Sequence, residues 1–264
     1  MSFMVENRIA VVTGGSSGIG LETVRLLLAS GARVAFCGRN EERLADAERQ
    51  LKTEFPDADL LARPCDVLDA DSCRAFASAV ETGLGRADML IANAGQGFMA
   101  RYDDTPQERW LGEANLKLFG VINPLDAFRP HLAASDIGSL TCVNSLLAVQ
   151  PEPYMIATSA ARAALLNMTH SLADTLVDEG IRVNSILLGV VESGQWRRRY
   201  ENREDRDLSW EDWTARIAED RGVPMKRLGK PEEPARALVF LASPLASFTT
   251  GAALDVSGGF NRHI

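Results

Sequence analysis

Residues 13–20 read Thr13-Gly14-Gly15-Ser16-Ser17-Gly18-Ile19-Gly20, between a β-branched run at 8–13 and an amphipathic stretch at 21–29. Strand, glycine turn and helix in that order present backbone N–H groups and the partial positive charge of a helix start to an anion. Glycines at 14, 18 and 20 let the chain turn tightly, approach a pyrophosphate with bare backbone and bring helix against strand. The turn therefore predicts a dinucleotide site carried by Gly14, Ser16, Ser17, Gly18, Ile19 and Gly20.

Outward from this turn, short apolar runs alternate with longer amphipathic stretches, the pattern of repeated βα units. Strands are expected at 8–13, 33–37, 59–64, 89–92, 139–144, 182–187 and 253–256. The helical stretch at 21–29 puts Leu21, Val24, Leu27 and Leu28 on one face, and 41–55 does the same with Leu44, Ala47, Leu51 and Phe55. The fold class expected is α/β: a doubly wound (Rossmann) seven-stranded parallel sheet with helices on both faces, in a single domain over 1–264. The stretch 160–177 sets small residues (Ala160, Ala161, Ala163, Ala164) opposite Leu165, Met168, Leu172 and Leu176, which suits either a subunit interface or a helix buried within the monomer.

The rhythm breaks at 195–220. Eleven of the sixteen residues at 197–212 are charged, beginning with Arg197, Arg198 and Arg199. Trp210, Trp213 and Ile217 recur there at helical spacing, so this insertion reads either as a lid whose arginines meet an anionic substrate or as a solvated surface helix.

Composition narrows the function classes. With 264 residues, 46% apolar and 24% charged, the chain buries a full core, and a net charge of -8 disfavours a phosphate backbone as partner. Nucleic acid is not expected. Neither a basic-then-apolar leader nor an apolar run of about 20 residues stands in the sequence, so no membrane association is expected and the cytoplasm is the expected location. The four cysteines lack CxxC spacing and the three histidines lack metal-site spacing, which points to buried free thiols and no metal.

The glycine spacing is GxxxGxG and not GxGxxG. With Asp66-Val67, Asn93-Ala94-Gly95, Asn115, Ser145, Arg182-Val183-Asn184, Gly189 and the glycines at 251–259, it resembles the short-chain dehydrogenase/reductase family nearly end to end. The resemblance implies hydride transfer between a nicotinamide cofactor and a small carbonyl or alcohol, 3-oxoacyl-like compounds included, in a homodimer or homotetramer. It implies that Asp66, followed by Val67, accepts from the adenine amine, that Asn93, Ala94 and Gly95 support the strand end beside the cofactor, and that 189–193, with Gly189, Val191 and Ser193, hold the nicotinamide amide. Where the family usually has Pro-Gly, this chain has Leu188-Gly189.

Charge at the end of the second strand selects the cofactor. NAD sites usually carry a carboxylate there for the ribose hydroxyls, whereas this chain has Gly38 and then Arg39, which can pair with a 2′-phosphate. NADP (NADPH) is favoured over NAD.

The reaction centre departs from the family. Ser145 matches its serine and Asn115 its helix asparagine, but the tyrosine and lysine positions hold Thr158 and Arg162. Sliding the match by four to reach Tyr154 would spoil the agreement at 169–173 and 182–184. An aliphatic hydroxyl is too weak an acid to replace a phenol, and a guanidinium stays charged. Three outcomes are open at this point. One is an oxidoreductase that takes its proton from Tyr154 or from a water on Ser145, with Asn115 and Arg162 supporting the site and Thr158 orienting the substrate. Another is a catalytically weak NADP-binding sensor or partner subunit. The last is a different NADP-dependent reaction in which Arg162 binds an acidic substrate.

Overall fold

The computed structural model describes residues 3–203 and 206–262; positions 204 and 205 of the charged insertion and both chain ends lie outside the described residues. Seven parallel strands form one sheet: β1 (Ile9–Thr13), β2 (Arg33–Gly38), β3 (Leu60–Pro64), β4 (Met89–Ala92), β5 (Ser139–Ser145), β6 (Arg182–Leu188) and β7 (Ala253–Val256). Their order is β3-β2-β1-β4-β5-β6-β7. All seven expected strands are present, within a residue at either end.

Side-chain alternation along the strands explains why both faces are covered. On β1, Val11 joins a core with Ala35, Leu90 and Leu140, closed by α3 (Ala70–Gly83), α4 (Gln107–Ala133) and α5 (Ile156–Leu176) through Phe76, Phe128 and Leu165. Its neighbours Ala10 and Val12 point the other way, into a core closed by α1 (Gly18–Ala29), α2 (Glu41–Glu54) and α8 (Glu232–Ala242) through Leu27, Leu51 and Leu238. α5 starts at Ile156, so Thr158 stands in its first turn; Leu165 and Leu176 are buried while Ala160, Ala163 and Ala164 are exposed.

The 182–184 motif is structural. The Arg182 guanidinium donates to the carbonyls of Leu241 and Ala242, capping the end of α8, and the Asn184 side chain pins the loop before β7 through Thr249 O and Ala252 N.

The sheet order reverses direction between β1 and β4, which opens a crevice beyond their carboxyl ends. The glycine turn leaves β1 and Asn93 leaves β4 at that crevice. The charged insertion forms two short helices, α6 (Gly194–Glu201) and α7 (Trp210–Asp220).

Candidate active site

The crevice is a cavity of about 690 Å³, within the range of small-molecule and cofactor sites. At one end the glycine turn is locked to β4. Asn93 donates its side-chain amide to Thr13 O (3.1 Å) and Gly14 O (3.0 Å), and Thr13 Oγ1 accepts from the backbone N–H groups of Asn93 and Ala94. Gly14 sits at φ +67°, and a Cβ at Gly20 would fall 2.2 Å from Gly14 O, so only a bare backbone lets α1 start this close to the turn.

The start of α1 is left open. Asn40, Asp69 and Ser209 cap α2, α3 and α7 with side-chain acceptors, and each of those helices has an acidic first turn. α1 has neither: Ser17 makes no side-chain cap and its first turn holds no acidic residue. Its first N–H groups and its positive pole therefore face the cavity lined by Gly14, Ser16, Ser17, Gly18 and Ile19. Gly20 lies behind this lining, packed on Gly14 and Asn93.

Beside that turn, Gly38, Arg39 and Asn40 border the cavity, joined by Arg43 one helical turn on. In the sequence Arg43 reads as an ordinary surface arginine, and nothing in its spacing singles it out. Val67, Asn93, Ala94, Gly95, Gly189, Val191 and Ser193 also line the cavity, whereas Asp66 does not; its carboxylate accepts from Leu68 N at 3.0 Å, holding the turn after β3.

At the other end, Ser145 lies in the cavity wall, its Oγ accepting from Leu147 N and donating to Leu188 O at 3.3 Å. Asn115 does not reach the site. It is exposed on α4, and because residues two apart on a helix face opposite sides, the inward position belongs to Lys117. Lys117 (3% exposed) donates to Gln96 O at 2.6 Å and to the carboxylate of Glu113 (6% exposed) at 2.7 Å. The Thr158 hydroxyl, expected to orient a substrate, is turned into this cluster: it donates to Glu113 and accepts from Phe98 N at 3.0 Å. In sequence, Glu113 and Lys117 look like a surface pair at i,i+4, and nothing in their spacing signals burial.

Arg162 lines the cavity beside Gly95 and Val143. Nη1 donates to Val143 O at 2.6 Å, and its buried Nε–H has no acceptor among the described residues. Burial pushes its guanidinium down to about 10, opposed by the Glu113 charge. Burial, and after it the Arg162 charge, holds Lys117 below the usual lysine range, opposed by Glu113. An uncapped helix start, a glycine cradle that any side chain would fill and an orphaned guanidinium N–H all fit an anionic nucleotide.

Tyr154 lies in the wall with its hydroxyl oxygen accepting from Arg221 Nη1 at 2.8 Å. α6 contributes Trp196 and Arg199 to the same wall. Arg197 and Arg198 are exposed, and Arg197 stacks on Trp210 3.8 Å from its ring centre. Among the described residues no helix is long and apolar enough to cross a membrane, and no group of three or more His, Cys, Asp or Glu is arranged to hold a metal ion.

A family profile described as enoyl-(acyl carrier protein) reductase matches residues 14–261. The short chain oxidoreductase of Pseudomonas aeruginosa PAO1, described as containing an atypical catalytic center, is 55% identical in its apo structure, with 98% of this chain and 99% of that one covered and a TM-score of 0.97. Its NADPH-bound structure gives 54% identity, coverage of 97% and 98%, and a TM-score of 0.94. L-sorbose reductase of Gluconobacter frateurii, complexed with NADPH and L-sorbose, is 30% identical over the whole of both chains, with a TM-score of 0.93. Dehydrogenase/reductase SDR family member 4 of Bos taurus is 31% identical, covering 98% of this chain and 89% of its own length. The chain belongs to the short-chain dehydrogenase/reductase family of oxidoreductases.

Proposed function

We propose that the chain is an NADP-dependent oxidoreductase acting on a small carbonyl or alcohol through a non-standard reaction centre. The observation that carries this reading is the shared cavity: the uncapped α1 and Arg39 at one end, Ser145 and Tyr154 at the other. The cofactor supplies or accepts a hydride. The N–H groups at the start of α1 and the Arg162 guanidinium hold its diphosphate and ribose, and Arg39 with Arg43 meets the 2′-phosphate, which favours NADP over NAD.

Ser145 turns its hydroxyl from the long 3.3 Å contact with Leu188 O to the substrate's carbonyl oxygen and donates to it as negative charge builds there. Thr158 cannot serve as its partner in the observed arrangement, because its one proton is taken up by Glu113 and Phe98 O. The proton comes from Tyr154, whose oxygen accepts from Arg221 and whose O–H remains a donor, or from a water held by Ser145. Losing the usual acid costs about 10² to 10⁴ in rate, so turnover is slow by the standards of such centres.

A second reading is favoured by that same inward turn of Thr158: a weakly active NADP-binding sensor or partner subunit. The two separate in one experiment. NADPH binding is followed by fluorescence, and NADPH oxidation is followed across a panel of ketones and aldehydes, with Ser145→Ala as control. Turnover that Ser145→Ala abolishes while NADPH binding persists supports the enzyme; tight binding without turnover supports the sensor; failure to bind NADPH removes both. We also propose a homodimer or homotetramer, since Phe248, Leu245 and Leu254 stand exposed near the β7 edge. Light scattering of the purified protein gives the mass.

A further inference from the structure

The charged insertion delivers guanidinium groups to the reaction end of the cavity. α6 and α7 are clamped by edge-to-face ring contacts, Trp196 to Trp213 at 6.1 Å and Tyr200 to Trp213 at 5.5 Å, which fixes Trp196 in the cavity wall. Two arginines stack on that one indole. Arg199 lies 4.8 Å from its centre and touches Met99; Arg221, just past α7, lies 5.6 Å from it, 5.6 Å from the Tyr154 ring, and donates to the Tyr154 hydroxyl. Both are half-buried and both line the cavity that holds Ser145.

Three other partly buried arginines of this chain meet carboxylates, while Arg162 and Arg182 meet backbone carbonyls. Arg227 is paired with Glu233 at 2.7 Å, Arg25 with Glu54 and Arg129 with Glu179. Arg199 and Arg221 have no carboxylate within 4.0 Å among the described residues; aromatic faces hold them instead. Two carboxylates, Glu152 and Glu192, share the wall and balance the two guanidiniums in number, and neither is paired with Arg199 or Arg221. Planar, pre-aimed guanidinium donors with no carboxylate of the chain on them are complementary to the carboxylate of a ligand.

Resting on the oxidoreductase reading, we propose that the substrate is a monoanionic oxo acid, or in reverse its hydroxy acid. Arg221 and Arg199 hold the carboxylate and Ser145 holds the reacting oxygen. The carbonyl carbon gains a hydride as NADPH becomes NADP⁺, the carbonyl oxygen gains one proton, and the carboxylate end is unchanged. Trp196 packs on the carbon chain between them.

The test uses the full chain with 2-oxobutanoate, 3-oxobutanoate and 4-oxopentanoate, each beside its methyl ester. Kinetics are read by NADPH oxidation, and binding is read by tryptophan fluorescence of the NADP⁺ complex titrated with the corresponding hydroxy acids and hydroxy esters. The expected result is a preference for at least one acid over its ester of about tenfold or more in kcat/KM or affinity. Arg221→Gln collapses that ratio by about the same factor with NADPH affinity unchanged, and Arg221→Lys retains part of it. Equal handling of acids and esters, a preference for neutral sugars, tighter binding of phosphate esters, or an unchanged ratio in a folded Arg221→Gln overturns the proposal. Loss of NADPH binding in the wild-type protein would instead sink the reading beneath it. If Arg221→Gln does not fold, Arg199→Gln and the wild-type acid-to-ester ratio decide.

Discussion

At the end of the cavity formed by the glycine turn, the wall is mostly backbone: uncapped N–H groups of α1, bare glycines, and an amide bridge from Asn93 to Thr13 and Gly14. At the other end it is side chains, and Thr158 in the wall turns its hydroxyl back to Glu113, which also accepts from Lys117. Backbone recognition tolerates most substitution around it because the groups that bind are the same in every residue. Side-chain chemistry does not. On the function proposed above, that contrast lets one chain pair a nucleotide cradle made of backbone with a non-standard reaction centre.

The buried pair offers the harshest way to break the comparison. Glu113→Gln keeps the shape but strands the Lys117 ammonium, at a cost of about 3–5 kcal/mol in unfolding free energy. The loss also depends on pH. A lysine whose pKa is lower folded than unfolded binds fewer protons in the folded state, so stability rises with pH up to the ordinary lysine value of 10.5. Denaturant melts of Glu113→Gln should therefore recover toward the wild-type midpoint as pH is raised. Adding Lys117→Met should recover most of the loss at neutral pH. If Glu113→Gln melts like the wild type at pH 7, the pair is not a buried charge pair and the reaction end is as tolerant as the cradle.

The opposite end is tested by crowding the backbone. Gly20→Val places its Cβ against Gly14 O, and α1 must move away from the turn. NADPH affinity, measured by fluorescence titration, should fall by about 100-fold, more than any single side chain bordering the cofactor should cost when trimmed. Binding unaffected by the valine would mean that side chains, not the helix start, hold the diphosphate.

The same contrast governs how much of the molecule is legible in its sequence. The strand–turn–helix at 13–20, the seven strands and the doubly wound order are legible because periodicity and glycine spacing report backbone geometry directly. Arg39 and Ser145 can be placed at the cavity because they stand at strand ends, and Arg162 because the family resemblance counts on from Ser145 to the lysine position. Asn115 is misplaced by a helix rotation: it is two residues from Lys117, and nothing local says which of the two faces in. Glu113 is invisible for a related reason, since a Glu–Lys pair at i,i+4 has the same sequence whether it lies in water or beneath α5. Arg221 gives no local signal because its partner, Tyr154, is 67 residues away.

Arg39→Ala sharpens the cradle end by asking how much of it is side chain after all. With Arg43 remaining beside it, the preference for NADPH over NADH should narrow by about tenfold, and Arg39→Ala with Arg43→Ala should erase it. Equal affinities in the wild-type protein would remove both arginines from this role.

The surface counterpart of the buried pair is Arg227 with Glu233, a two-pronged contact at 2.7 Å in which the carboxylate also accepts from Lys230 N at 2.7 Å. The Arg227 hydrogen bond, opposed by partial burial, pulls Glu233 from the ordinary 4.5 down to about 2. A carboxylate depressed in this way lends stability that is complete above about pH 4.5 and is lost as pH falls toward 2. Water screens a pair this exposed, so Glu233→Gln should cost about 1 kcal/mol or less at pH 7 and nothing below pH 2. Melts of the two proteins should converge as pH falls through that window. The buried pair responds in the other sense, because removing its carboxylate makes stability climb with rising pH. Two Glu-to-Gln changes in one chain should thus give pH profiles that separate a charge the solvent can screen from one that only its partner can.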